Sequence, residues 1–98
     1  MRKFRRIYVR YGHPLPLHQA VAQKITTKGL FLLTNGAVYS VGSPIAIEIR
    51  GPADAWVARG VVRHAFKAPP SLATFTNPGM GVEFTDVPDA CREYLASL

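Results

Sequence analysis

Acidic residues are scarce in this chain, and the first of them comes late. Six Asp and Glu face twelve Lys and Arg, for a formal net charge of +6, and no carboxylate precedes Glu48. Cysteine occurs once, at Cys91. That excludes an internal disulfide, fits a reducing, cytoplasmic compartment, and makes Cys91 a candidate small core residue. Histidine occurs three times. His13 and His18 stand in a proline-broken segment with no neighbouring carboxylate, a poor basis for a metal site. His64 is expected on a strand face, partly buried. No apolar run approaches the ~20 residues that span a bilayer. The basic start is followed by no apolar segment, so no secretory signal is expected.

Catalytic signatures are equally thin. No glycine-rich loop leads into Lys-Ser/Thr. Gly79-Met80-Gly81 is too short for a dinucleotide loop and precedes a strand rather than a helix. The carboxylates are scattered, and Asp86 and Asp89 are better placed to cap a helix than to act as an acid/base pair. The expectation is a non-enzyme without metal or cofactor.

What is present is a single small domain's worth of chain: 98 residues, 48% hydrophobic. The expected layout is a basic leader over 1–6, a barrel over 7–85 and a helix over 86–98. Ile7, Val9 and Tyr11 alternate with Tyr8 and Arg10, a short strand. Gly12 to Pro16 breaks it, because neither proline can donate to a ladder. Residues 17–25 can be extended again. Thr26 to Gly29 forms a turn, Leu30 to Thr34 a buried strand, and 35–44 a loop. Ile45, Ile47 and Ile49 alternate with Ala46, Glu48 and Arg50, the cleanest half-buried strand in the chain. From Trp56 to Phe66 the even positions face one way, which predicts a long antiparallel partner to 45–50. A loop runs from Lys67 to Pro78, and Met80, Val82 and Phe84 mark a last strand. Asp86 with Pro88 and Asp89 predicts a helix start. Ala90, Tyr94 and Leu98 stack behind it, beside Cys91 and Leu95. Short strands at regular spacing with one terminal helix predict a small antiparallel barrel.

Five of the twelve basic residues lie in the first ten positions: Arg2, Lys3, Arg5, Arg6 and Arg10. A basic end of this kind suits an anionic partner. Guanidinium is planar, forks onto phosphate oxygens and stacks on purines, and it can donate two bonds to the O6/N7 edge of guanine. A ligand carrying phosphates and guanines would use all of these. A turn ending in Gly29 could bring hydroxyls and backbone N–H groups to the same ligand.

Arg5-Arg6-Ile7-Tyr8-Val9-Arg10 resembles the RxxxR motif of PilZ domains, bacterial receptors for cyclic di-GMP. Lys24-Ile25-Thr26-Thr27-Lys28-Gly29 falls where that family has its second motif, (Asp/Asn)-x-Ser-x-x-Gly. Pro78 to Pro88 is similar to its closing strand and the start of its terminal helix. Val41-Gly42-Ser43 and Gly60-Val61-Val62 also fit its spacing. The resemblance implies a mainly β fold, a six-stranded antiparallel barrel with a C-terminal helix. It also implies cyclic di-GMP as ligand, and an unidentified protein partner in motility, polarity or exopolysaccharide control. Matched residue by residue, Arg6 and Arg10 are the motif arginines and Arg5 the adjacent basic residue. Thr26 stands for the motif serine, keeping a hydroxyl, and Gly29 for the motif glycine.

Lys24 departs from the pattern. Guanine N1–H and N2–H₂ are donors, and an ammonium offers three donors and no acceptor. Leaving such groups unpaired costs about 1–3 kcal/mol, roughly ten- to a hundredfold in affinity. Three readings follow: a receptor with an altered second motif; an adaptor that no longer binds the nucleotide and docks proteins through Phe31, Trp56 or Phe75; and a basic module for nucleic acid or lipid. The last would lose its binding with salt and show no preference for guanine dinucleotides.

Overall fold

The computed structural model describes residues 7–67 and 78–98. Six strands run in chain order, β1 (Ile7–Gly12), β2 (His18–Gln23), β3 (Gly29–Leu33), β4 (Pro44–Arg50), β5 (Ala55–Phe66) and β6 (Gly79–Asp86), followed by one helix, α1 (Asp89–Ser97). They close into an antiparallel barrel in the order β1-β2-β3-β6-β5-β4, with β4 returning to β1. The sequence-derived fold is the observed one. Closure leaves no unpaired strand edge between the six strands.

Period-two alternation sets the inside of the barrel. Val9 and Tyr11, Ala20 and Ala22, Leu30 and Leu32, Ile45, Ile47 and Ile49, Ala58 and Val62, and Met80 and Val82 all bury their side chains in one cluster. Small residues on β2 and β5 leave room for the isoleucines of β4 and the ring of Tyr11. The β4–β5 pairing predicted from the sequence is present, with Ile47 opposite Ala58 and Glu48 opposite Val57.

Three expectations fail. The inward run of even positions on β5 ends at Val62. Two register shifts interrupt the ladder with β6: between Arg59 and Gly60 the extra residue, Thr85, lies on β6, and between Val62 and His64 the extra residue, Arg63, lies on β5. The inserted Arg63 ends the alternation, and all four residues from Arg63 to Phe66 are exposed, so His64, expected to be partly buried, meets solvent. Asp86 is not a helix cap: it ends β6, and the N-cap is Pro88, which makes no side-chain capping bond. A proline carries no side-chain acceptor, and the backbone alone begins the helix, with Arg92 N–H donating to the Pro88 carbonyl at 2.9 Å. Finally, Ala90 is exposed and the buried helix residues are Cys91 and Leu95, with Tyr94 and Leu98 half-buried. The apolar stripe is thus centred one position later than the predicted stack. Tyr94 meets the ring of Trp56, centroids 5.6 Å apart, which ties α1 to the start of β5.

Most of the 67–78 loop lies outside the described residues, as do the leader at 1–6 and Phe75.

Candidate functional site

On β1 the residues that alternate with the core, Tyr8 and Arg10, point outward, and Arg10 is exposed. Arg10 stands opposite Gln19 on β2 and Glu48 on β4. Tyr8 stands opposite Val21, which in turn pairs with Leu33 on β3. Continuing the β1–β4 register by two residues brings Tyr8 level with Arg50. Two parallel rows therefore cross the outer face. One is polar, Gln19–Arg10–Glu48; the other, Leu33–Val21–Tyr8–Arg50, is mostly apolar. Together they floor an open groove of about 950 Å³, walled by Leu17 and His18 and by the segment from Leu33 to Gly36.

The electrostatics of the groove are uneven. No carboxylate among the described residues comes within ion-pair distance of Arg10, whereas Arg50 Nε lies 3.9 Å from Glu48 Oε1. Tyr8 is 85% exposed, an aromatic ring held in water.

The wall is anchored from inside. Tyr11 is fully buried. Its hydroxyl donates to Thr34 Oγ1 at 3.0 Å and shares its proton with the Ala37 carbonyl. Thr34 donates onward to the Gln19 carbonyl at 3.1 Å and accepts from Gly36 N–H at 2.9 Å. Burial pushes the Tyr11 phenol above its ordinary pKa, with the hydrogen bond to Thr34 opposing and the charge of Tyr39 adding to the rise.

The second motif forms a separate feature. Thr26 Oγ1 accepts from the N–H groups of Lys28 and Gly29, both at 3.1 Å, and donates to the Gly29 carbonyl at 3.1 Å. The Thr26 N–H closes the same turn onto Gly29 at 2.9 Å. A side chain on Gly29 would place Cβ 2.2 Å from the Val82 carbonyl oxygen, so only glycine lets β3 approach β6 here. Lys24 is exposed and holds φ at 52°, the left-handed region. Thr26 and Gly29 are therefore occupied in building a turn. None of Lys24, Thr26 and Gly29 lines the groove. Ile7 pairs with Ala22 at the turn end of β1, and Arg10 lies three residues further along, about 10 Å at ~3.3 Å per residue. Arg5 and Arg6 lie outside the described residues.

Glu48, Tyr8, Gln19 and Arg50 are groove residues that the motif reading passed over. Alternation along β1 and β4 places Tyr8, Glu48 and Arg50 outward, but only the β1–β4 pairing sets Glu48 beside Arg10. The residues expected for protein docking lie elsewhere: Phe31 and Trp56 are half-buried. The large exposed apolar side chains include Tyr8 and, at 73% exposure, Leu17. Among the described residues no cluster of three or more His, Cys, Asp or Glu side chains could hold a metal ion, and no helix is long and apolar enough to cross a membrane.

The chain was compared with known proteins. No family model matches it, and no curated protein matches it in sequence. Among solved structures, that of the Bacillus subtilis inhibitor of motility (MotI/DgrA) superposes with a TM-score of 0.69 at 17% sequence identity, covering 99% of this chain. The likeness shows a shared fold. The match takes in 48% of that longer chain, so this chain spans about half the length of its structural neighbour.

Proposed function

We propose that this chain is a non-enzymatic signalling module of the PilZ type, binding cyclic di-GMP on the outer face of β1 and passing its state to a protein partner. The observation that carries the reading is Arg10. Its guanidinium has no described acidic partner and stands in an open groove, four residues after Arg6 in sequence. An unpaired guanidinium in a groove of this size is suited to a phosphate, and the arginine segment leads straight into the strand that floors it. The fold shared with an inhibitor of motility makes a motility system the first place to seek the partner. Polarity and exopolysaccharide control are the further candidates that the family resemblance implies.

The reading is tested by calorimetric titration of the protein with cyclic di-GMP at physiological salt, beside an Arg6→Ala, Arg10→Ala double variant. Micromolar binding that the double variant loses supports a receptor. Absence of heat, together with an unchanged melting temperature at high ligand concentration, overturns it.

A second reading is favoured by the β2–β3 turn. Thr26 and Gly29 serve the fold without any ligand, and Lys24 brings no acceptor. A module that has lost the nucleotide would act as an adaptor, docking proteins through exposed groove residues such as Tyr8 and Leu17. It predicts no response to cyclic di-GMP from the protein and no gain from Lys24→Asp.

A further inference from the structure

Of the six carboxylates in the chain, Glu48 alone is not exposed: a quarter of its side chain meets solvent, and the residue lies in the floor of the groove. Its carboxylate accepts no hydrogen bond from any described residue. The nearest cation, Arg50 Nε at 3.9 Å, is beyond hydrogen-bond length. A half-buried carboxylate whose two acceptor oxygens take no hydrogen bond from the described residues is complementary to a pair of neighbouring donors. Tyr8 stands diagonally across from Glu48, since Glu48 pairs with Arg10 two residues along β1. Diagonal neighbours on one sheet face lie about 7–8 Å apart, within reach of aromatic and long side chains. That is close to the length of a purine. The ring of Tyr8, with Val21 beside it, offers a flat apolar platform, and base–aromatic stacking is a general source of binding to unpaired bases.

We infer that Glu48 reads the Watson–Crick edge of a guanine stacked on Tyr8, supplying the acceptor that Lys24 lacks. This rests on the receptor reading above and moves base recognition from the β2–β3 turn to the groove. Guanine presents N1–H and N2–H₂ side by side, and one carboxylate accepts both. Adenine presents an acceptor at N1 beside a single amino group, so the same carboxylate opposes it. Arg10 and Arg50 flank Glu48 and meet the phosphates of the same ligand. The groove therefore selects guanine over adenine dinucleotides through one side chain.

The experiment is calorimetric titration of the protein and its Glu48→Gln, Tyr8→Ala and Arg10→Ala variants, each with cyclic di-GMP and with cyclic di-AMP. Melting temperatures without ligand report whether each variant is folded. Tyr8 is largely in water, so its truncation is a second test that does not depend on how Glu48→Gln folds. The expected result is at least tenfold weaker binding of cyclic di-GMP by Glu48→Gln, with reduced preference over cyclic di-AMP, and a similar loss for Tyr8→Ala. Cyclic di-GMP affinities within twofold of the parent in both variants, with Arg10→Ala still losing binding, overturn the inference and leave the receptor reading intact. Failure of the unaltered protein to bind cyclic di-GMP overturns the receptor reading, and the inference with it.

Discussion

The Tyr11 hydroxyl reaches from the barrel core to Thr34 Oγ1, 3.0 Å away, and so fastens the segment after β3 to β1. Removing it in Tyr11→Phe leaves the Thr34 hydroxyl and the Ala37 carbonyl short of a donor. A stability loss of about 1–2 kcal/mol is expected, measured by urea unfolding. The same variant changes the alkaline limb. The folded phenol holds its proton above the ordinary value of about 10. Its contribution is therefore complete below pH ~10 and is lost as pH rises through the folded-state pKa. The parent should lose stability over that range more steeply than Tyr11→Phe. Equal slopes would show that the phenol ionises alike in both states.

Gly29 sits where β3 passes closest to the Val82 carbonyl, and an added methyl has nowhere to go but into backbone. Gly29→Ala is expected to destabilise by about 3 kcal/mol, at the upper end for overpacking. Thermal unfolding decides the point: a melting temperature within 2–3 °C of the parent, about 0.5 kcal/mol on a domain this size, would mean that β3 and β6 part easily.

Lys24 holds a left-handed backbone, which costs a non-glycine residue about 1–2 kcal/mol. Asn and Asp tolerate that conformation better than other side chains. Lys24→Asn is thus expected to raise stability by roughly 0.5 kcal/mol, and Lys24→Val to lower it. This gives a backbone reason for Asp or Asn at the start of the motif that the segment resembles. A Lys24→Asp titration then needs the variant's unfolding curve beside it, so that a stiffened turn is not mistaken for a new ligand contact. Lower stability in Lys24→Asn would count against the turn geometry.

Cys91 is fully buried on α1, and desolvation pushes its thiol above the ordinary range. Because the thiolate is the reactive form, labelling by a disulfide reagent at pH 8 should be slow in the folded protein and fast in urea. Rapid labelling under native conditions would mean that α1 lifts off the barrel readily.

Much of this was legible in the sequence because period-two alternation is local. Ile45, Ile47 and Ile49 announce a half-buried strand whatever surrounds them, and so do Val9 and Tyr11. The helix stripe at Cys91 and Leu95 follows from spacing alone, give or take one position. Arg10 could be singled out from its neighbours in the chain, and the turn at Thr26–Gly29 from its residue types. Tertiary structure decided the rest. The bulge of β5 at Arg63 ends the buried alternation before His64 and Phe66, and a local pattern carries no sign of an inserted residue until the partner strand is in place. Barrel closure brings β4 back to β1 across more than thirty intervening residues, and only that pairing sets Glu48 beside Arg10. The site is a property of non-local register: side chains that share no stretch of chain become neighbours because six strands must satisfy one another's hydrogen bonds in a closed ring.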